Sequence, residues 1–270
     1  MTRGIFTRPT LSEQNAIRTL RILAATLILV HLGLAVQGDL HARLPGFLAV
    51  YGAILVATVV AWRLARRVGN DATRLVLVAA LGMRLVAAWG GPALSDDVYR
   101  YVWDGRMQVH GVHPYAHAPD DPALEAYRDD VWERINHRDV PTIYTPLAEA
   151  VFFALAAVGL GPTGFQVAMG LFDFGVVVLL LLLLRARRLP EDRLVLYAWS
   201  PFAILETAGS GHMEPIGVAL VLAALLALGT ERPVRAGVAL GLAIQAKLLP
   251  LALLPGFVRR LRISAVAALI

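Results

Sequence analysis

Apolar residues in this chain gather into long runs separated by short, arginine-rich turns. Runs at residues 22–36, 44–62, 75–89 and 165–184 each hold at most one charged side chain. They approach the roughly 20 residues a helix needs to cross a bilayer. Shorter runs follow at 194–207, 216–228 and 236–247, and a break at Pro250 separates the last from 251–258. The run at 146–160 is also short and ends at Gly161, Pro162 and Gly164. This pattern predicts an all-α fold, a polytopic transmembrane helix bundle. Residues 1–270 are read as one transmembrane domain, and residues 90–145 as its first large external loop, carrying interfacial helices.

Charge orients the bundle. Arg3, Arg8, Arg18 and Arg21 precede the first run, and Arg63, Arg66, Arg67 and Arg74 follow the second. Basic turns stay on the cytoplasmic side, so the N terminus and the 63–74 turn are expected inside. Residues 93–144 then lie outside, with ten acids against five arginines. Arg185, Arg187, Arg188 and Arg193 form another basic turn. It falls inside only if the 146–160 helix does not cross, and that arrangement is the one expected. The 236–247 helix should break at Lys247–Pro250 beside a cavity open to the outside, because non-helical backbone at membrane depth needs cover from protein or water.

Composition agrees: 57% of residues are hydrophobic and 17% charged, against about a quarter charged in soluble domains. The net charge of +5 is accounted for by the cytoplasmic arginines, so no nucleic-acid partner is expected. With no cysteine, disulfides and thiolate metal sites are excluded. The sequence stops inside a further apolar run at 263–270, which predicts that the polypeptide is part of a longer protein.

The candidate chemistry lies in "ALSDDVYRYVWDG", residues 93–105. Ser95 can cap a helix N-terminus, and Asp96 and Asp97 in the first turn suit the helix dipole. That structural role is one reading. The other is catalytic: adjacent carboxylates repel, which raises the pKa of one and makes it an accessible proton acceptor. Asp97, Arg100 and Asp104 share one helical face, and Tyr99, Tyr101 and Trp103 suit the headgroup level. The helix is therefore expected to lie on the outer membrane surface. Arg84 sits inside the third run, where a charge must snorkel, pair with a loop carboxylate or meet a lipid phosphate. Asp173 and Glu206, in or near spans, are expected to be paired or to line a cavity.

"LSDDVYRYVWDGRMQVHGVHPY" (94–115) resembles the first external loop of GT-C glycosyltransferases that use polyprenol-phosphate sugars, most nearly bacterial mannosyltransferases. "INHRDVPTIYTPLAEAVF" (135–152), "ETAGSGHMEPIGVAL" (206–220) and "AGVALGLAIQAKLLPLALLP" (236–255) agree in order. The resemblance implies a GT-C-like bundle in the cytoplasmic membrane. It implies a lipid-linked donor, best guess mannose, and transfer to a hydroxyl of a glycan or lipid acceptor on the outer face with inversion. A loop acid acts as general base, which falls on Asp96 or Asp97, with Asp96 the first choice. The leaving lipid phosphate is already an anion and needs cations. Arg84, Arg100, Arg106 and Lys247 are candidates for that clamp, and Asp104, Tyr144, His212 and Glu214 for further substrate contacts. At "HME" (212–214) many bacterial relatives read nearer His-Asn-Asp, so the match there is partial.

No cofactor or metal is required. His110, His113 and His117 have suggestive spacing, but Gly111 and Pro114 interrupt it. A lipid-linked sugar transporter, or an inactive fragment of such an enzyme, shares the same composition and stays open as an alternative.

Overall fold

The computed structural model describes residues 10–258. The arginines at 3, 8, 259, 260 and 262 and the closing apolar run lie outside the described residues. Among the described residues every regular element is helical. Apolar segments long enough to cross a bilayer are Leu11–Ala35, Leu44–Gly90 and Pro162–Ala186, with shorter apolar helices at Pro146–Ala157, Glu214–Gly229 and Pro233–Ala246. The protein is an all-α polytopic membrane bundle.

Helix α1 (Leu11–Ala35) starts well before its apolar run. Thr10 and Glu13 form a reciprocal capping box that satisfies free backbone N–H groups. Its buried positions, among them Leu20, Ala24, Leu27 and His31, recur at helical spacing. Both α2 (Leu44–Val68) and α3 (Thr73–Ala87) pack on α1. A Cβ on Gly90 would fall 1.7 Å from the Ala35 carbonyl oxygen, so the loop after α3 passes α1 where only glycine fits. His31 is sealed in the core, its Nδ1 2.8 Å from the Leu27 carbonyl.

Helix α6 (Pro162–Ala186) packs against α3 and against α9 (Glu214–Gly229), which pairs with α10 (Pro233–Ala246). The turns after α2 and α6 meet at one end of the bundle. Trp62 Nε1 donates to Asp192 (2.9 Å) and Thr73 Oγ1 to Glu191 (2.7 Å). The two basic turns therefore share a side. At the other end lie α4 (Asp97–Val109) and α5 (Pro146–Ala157). Twelve residues in α5 give about 18 Å of helix, short of a ~30 Å hydrocarbon core.

Two expectations are corrected. The run at 194–207 is not one helix. It divides into α7 (Val195–Ala198), α8 (Pro201–Ile204) and a π-turn over Leu205–Gly209. Pro201 lacks the N–H that would continue the ladder. Neighbouring side chains cover the interruption: Thr58 donates to the Trp199 carbonyl (2.9 Å), and Trp199 Nε1 to the Val76 carbonyl (3.1 Å). Nor is α4 an exposed helix with one face open to its surroundings. Tyr101 and Trp103 are each 2% exposed, and Val98 through Gly105 are all buried. The loop from 111 to 145 closes over α4, and α5 closes the other side. A Cβ on Gly105 would stand 2.3 Å from the Phe152 carbonyl oxygen, so α4 and α5 touch at their backbones. The amphipathic pattern of α4 marks a helix buried with an internal ion pair.

Beyond α10 the backbone leaves the helix at Lys247 and makes a 3-10 turn over Leu249–Leu253 before α11 (Leu254–Val258).

Candidate active site

The N-terminal end of α4, the turn after the π-turn and the far end of the long loop converge. The α4 start is held by Ser95, whose Oγ accepts from the Asp97 N–H at 3.3 Å. Asp96 occupies the N-cap position, one residue later than expected. The following turn is pinned at Gly209, whose carbonyl accepts from the Ala93 N–H (3.1 Å) and from Gln166 Nε2 (2.8 Å). Gly211 has φ +82, and a Cβ there would fall 2.8 Å from Val98 Cγ2. Glycine at that point lets the turn lie flush on α4 and deliver His212 to it.

Asp97 is the centre of the arrangement. Its Oδ1 accepts from Asn136 Nδ2 at 3.0 Å. Its Oδ2 lies 3.7 Å from His212 Nε2, beyond hydrogen-bond range. The other ring nitrogen of His212, Nδ1, is 2.8 Å from Glu206 Oε2. Burial alone would lower the His212 pKa. The Glu206 hydrogen bond and the charges of Glu214, Glu206 and Asp97 outweigh it and raise the value. Beside this cluster Lys247 forms an ion pair with Glu214. Thr145 Oγ1 donates to the Ala246 carbonyl (3.1 Å), tying the start of α5 to the end of α10.

A cavity of about 330 Å³ runs from Asp173 and Tyr197 to Glu206, His212 and Glu214. Phe202 on its wall is largely exposed and Val218 partly so. The cavity thus joins an apolar flank of the bundle to the Asp97 cluster. Asp96 faces elsewhere: it is exposed and lines a separate cavity of about 220 Å³ with Asp39 and Ser95. The two adjacent aspartates therefore serve different surroundings.

The remaining candidates divide. His212, Glu214 and Lys247 stand with Asp97 or at the cavity mouth. Tyr144 is half-buried and stacks edge-on against Tyr101 and Phe152. Arg84 is fully buried and pairs with Asp173, its Nε donating at 2.8 Å, while Nη1 donates to the Ala80 and Ala198 carbonyls. Its partner is a carboxylate on a spanning helix, whereas a loop carboxylate or a lipid phosphate was expected. Arg100 donates from Nε to both oxygens of Asp104 within buried α4, and Arg106 pairs with Asp129 in the exposed loop (2.7 Å). Each of these three arginines is engaged by a carboxylate other than Asp97. The loop histidines disperse as well: His110 packs on Tyr127, His113 on Tyr115, and His117 bonds Asp121.

One polar cluster escaped the reading of the sequence. Glu149 on α5 accepts from Thr142 Oγ1 (2.7 Å) and Gln108 Nε2 (2.8 Å), facing Asp104. Burial, opposed by Arg100, raises the Asp104 pKa to about 6. Burial and the neighbouring Asp104 charge push Glu149 up to about 8. Burial and the Asp104 charge thus both favour the protonated form of Glu149. The available signal was a lone acid inside an otherwise apolar run.

The family model described as alpha-(1->6)-mannopyranosyltransferase, N-terminal domain, matches residues 28–262. No curated protein and no solved structure matches the chain.

Proposed function

The chain belongs to the alpha-(1->6)-mannopyranosyltransferase family, a family of mannosyltransferases, and from that membership we propose a specific reaction. A mannosyl group passes from a polyprenyl-phosphate carrier to the O6 hydroxyl of a mannose-containing glycan or lipid acceptor, at the outer face of the cytoplasmic membrane. Family membership favours this enzyme reading over a lipid-linked sugar transporter. The observation that carries the reaction is the half-buried Asp97 carboxylate, set 3.7 Å from His212, which lines a cavity with an apolar, exposed flank.

The polyprenyl chain enters along Phe202 and Val218, placing the sugar phosphate near Glu206, His212 and Glu214. Asp97 removes the acceptor proton as the hydroxyl oxygen attacks the anomeric carbon. The bond from that carbon to the phosphate oxygen breaks, and its electron pair stays on the lipid phosphate. A single displacement inverts the centre, so an α-linked product requires a β-linked donor. Lys247 turns from Glu214 to the phosphate as a charge-assisted donor. Asp97 is preferred to Asp96 because Asp97 faces the turn that carries His212, whereas Asp96 lines a separate cavity. The acidic loop lies outside and the basic turns inside, as the arginine bias demands.

The donor class is tested with membranes carrying the full chain. Radiolabelled polyprenyl-phosphate mannose should yield an α-mannoside, and nucleotide-activated mannose should not when carrier synthesis is blocked. Transfer from the nucleotide under that block overturns the assignment.

A further inference from the structure

The 3.7 Å gap between His212 Nε2 and Asp97 Oδ2 is too long for a direct hydrogen bond and too short to hold a bridging water in line. It does fit one oxygen seated to the side, at about 2.8 Å from each atom. A carboxylate only accepts hydrogen bonds, whereas an imidazole N–H donates them. A hydroxyl in that seat therefore gives its proton to Asp97 and accepts from His212. Glu206 Oε2, 2.8 Å from Nδ1, holds one proton on that nitrogen, so Nε2 donates to the hydroxyl when the ring is the imidazolium.

Resting on the reading of Asp97 as the base, we propose that His212 and Asp97 together form the seat of the acceptor hydroxyl, with Glu206 as the positioning residue that orients the imidazole. His212 anchors one lone pair of the incoming oxygen and leaves the other aimed at the anomeric carbon. As the carbon–oxygen bond forms, the hydroxyl proton moves to Asp97 Oδ2, and the electron pair of the breaking bond leaves with the phosphate. Three features support a built seat. The Gly211 turn lies flush on Val98, where any side chain would push it off. The His212 N–H also donates to the Glu206 carbonyl (3.1 Å), so backbone and side chain of Glu206 grip the same residue. Asn136 fixes the opposite oxygen of Asp97.

Charged groups on every side of the ring bear on its protonation. Glu206 from the π-turn, Asp97 from α4 and Glu214 from α9 favour the imidazolium, and Lys247 is already paired with Glu214. His212 thus stays charged to higher pH than an ordinary histidine, and loss of Glu206's carboxylate lowers that limit.

The test measures kcat and KM for each substrate in membranes holding the full chain. It uses polyprenyl-phosphate mannose as donor and octyl α-mannoside as acceptor probe. His212→Ala should raise the acceptor KM and lower kcat, together at least tenfold in kcat/KM, with the donor KM unchanged. His212→Gln, which keeps an N–H donor, should recover part of the loss. Glu206→Gln should move the alkaline limb of the kcat/KM profile to lower pH. If Asp97→Asn is inactive while His212→Ala keeps wild-type acceptor kinetics, the seat is refuted and the base assignment stands. A rise in donor KM alone for His212→Ala assigns the ring to the donor and also refutes the seat. If Asp97→Asn is fully active, the base assignment itself fails.

Discussion

Arg84 on α3 and Asp173 on α6 form a fully buried ion pair in the bundle, joined at 2.8 Å through Nε. Tyr197 donates to the other Asp173 oxygen, and Asp173 also lines the cavity that leads to His212. The pair closes the inner end of that cavity and locks two crossing helices. Removing one partner leaves a buried charge uncompensated, which costs about 3–5 kcal/mol. Arg84→Met or Asp173→Asn alone should therefore lower the thermal midpoint of the detergent-solubilised protein sharply. Arg84→Met combined with Asp173→Leu should recover much of the loss. Single variants with wild-type midpoints contradict this role.

Glu149 predicts how stability depends on pH. Its folded pKa of about 8 lies above the usual 4.5, so the native state holds a proton where the unfolded chain has lost it. Stability from this site is complete below about pH 4.5 and falls as pH rises toward about 8. The thermal midpoint should decline across that range in the wild type, and Glu149→Gln should flatten the decline. An unchanged slope in the variant contradicts the protonated-pair description.

Lys247 pairs with Glu214, which lines the cavity, at the point where α10 ends. If it takes the donor phosphate, Lys247→Ala loses a charge-assisted hydrogen bond of about 1.5–3 kcal/mol. Donor KM should then rise about 10- to 100-fold, with acceptor KM little changed and Lys247→Arg intermediate. An unaltered donor KM rules the clamp out.

The shared side of the basic turns predicts a topology. Reporter fusions at residues 120 and 190 should report opposite compartments, with 190 in the cytoplasm. Both residues reporting the same side contradicts the orientation.

Much of this architecture was legible in the sequence. Helices α1, α2, α3 and α6 follow from long apolar runs, since lipid demands a continuous hydrogen-bonded backbone. The break inside 194–207 was signalled by Pro201. Its rescue by Thr58 and Trp199 depends on contacts across more than a hundred residues, which no local pattern reveals. The expected exposure of α4 failed for a similar reason. Its polar face is satisfied internally, by Arg100 against Asp104, and only the folded loop shows that. At the site, Asp97, His212 and Glu214 were legible as acids and a histidine in the polar segments between apolar runs. The choice between Asp96 and Asp97 was not, because it depends on which side chain the Gly211 turn meets.

The most direct test of the account compares Asp97→Asn with Asp96→Asn in mannosyl transfer from polyprenyl-phosphate mannose, at equal amounts of folded protein in the membrane. Loss of a general base costs about 10²- to 10⁴-fold in rate. Asp97→Asn should fall by that factor in kcat, while Asp96→Asn keeps most of the wild-type rate. A wild-type rate in Asp97→Asn, or a loss confined to Asp96→Asn, contradicts the assignment of Asp97 as the base.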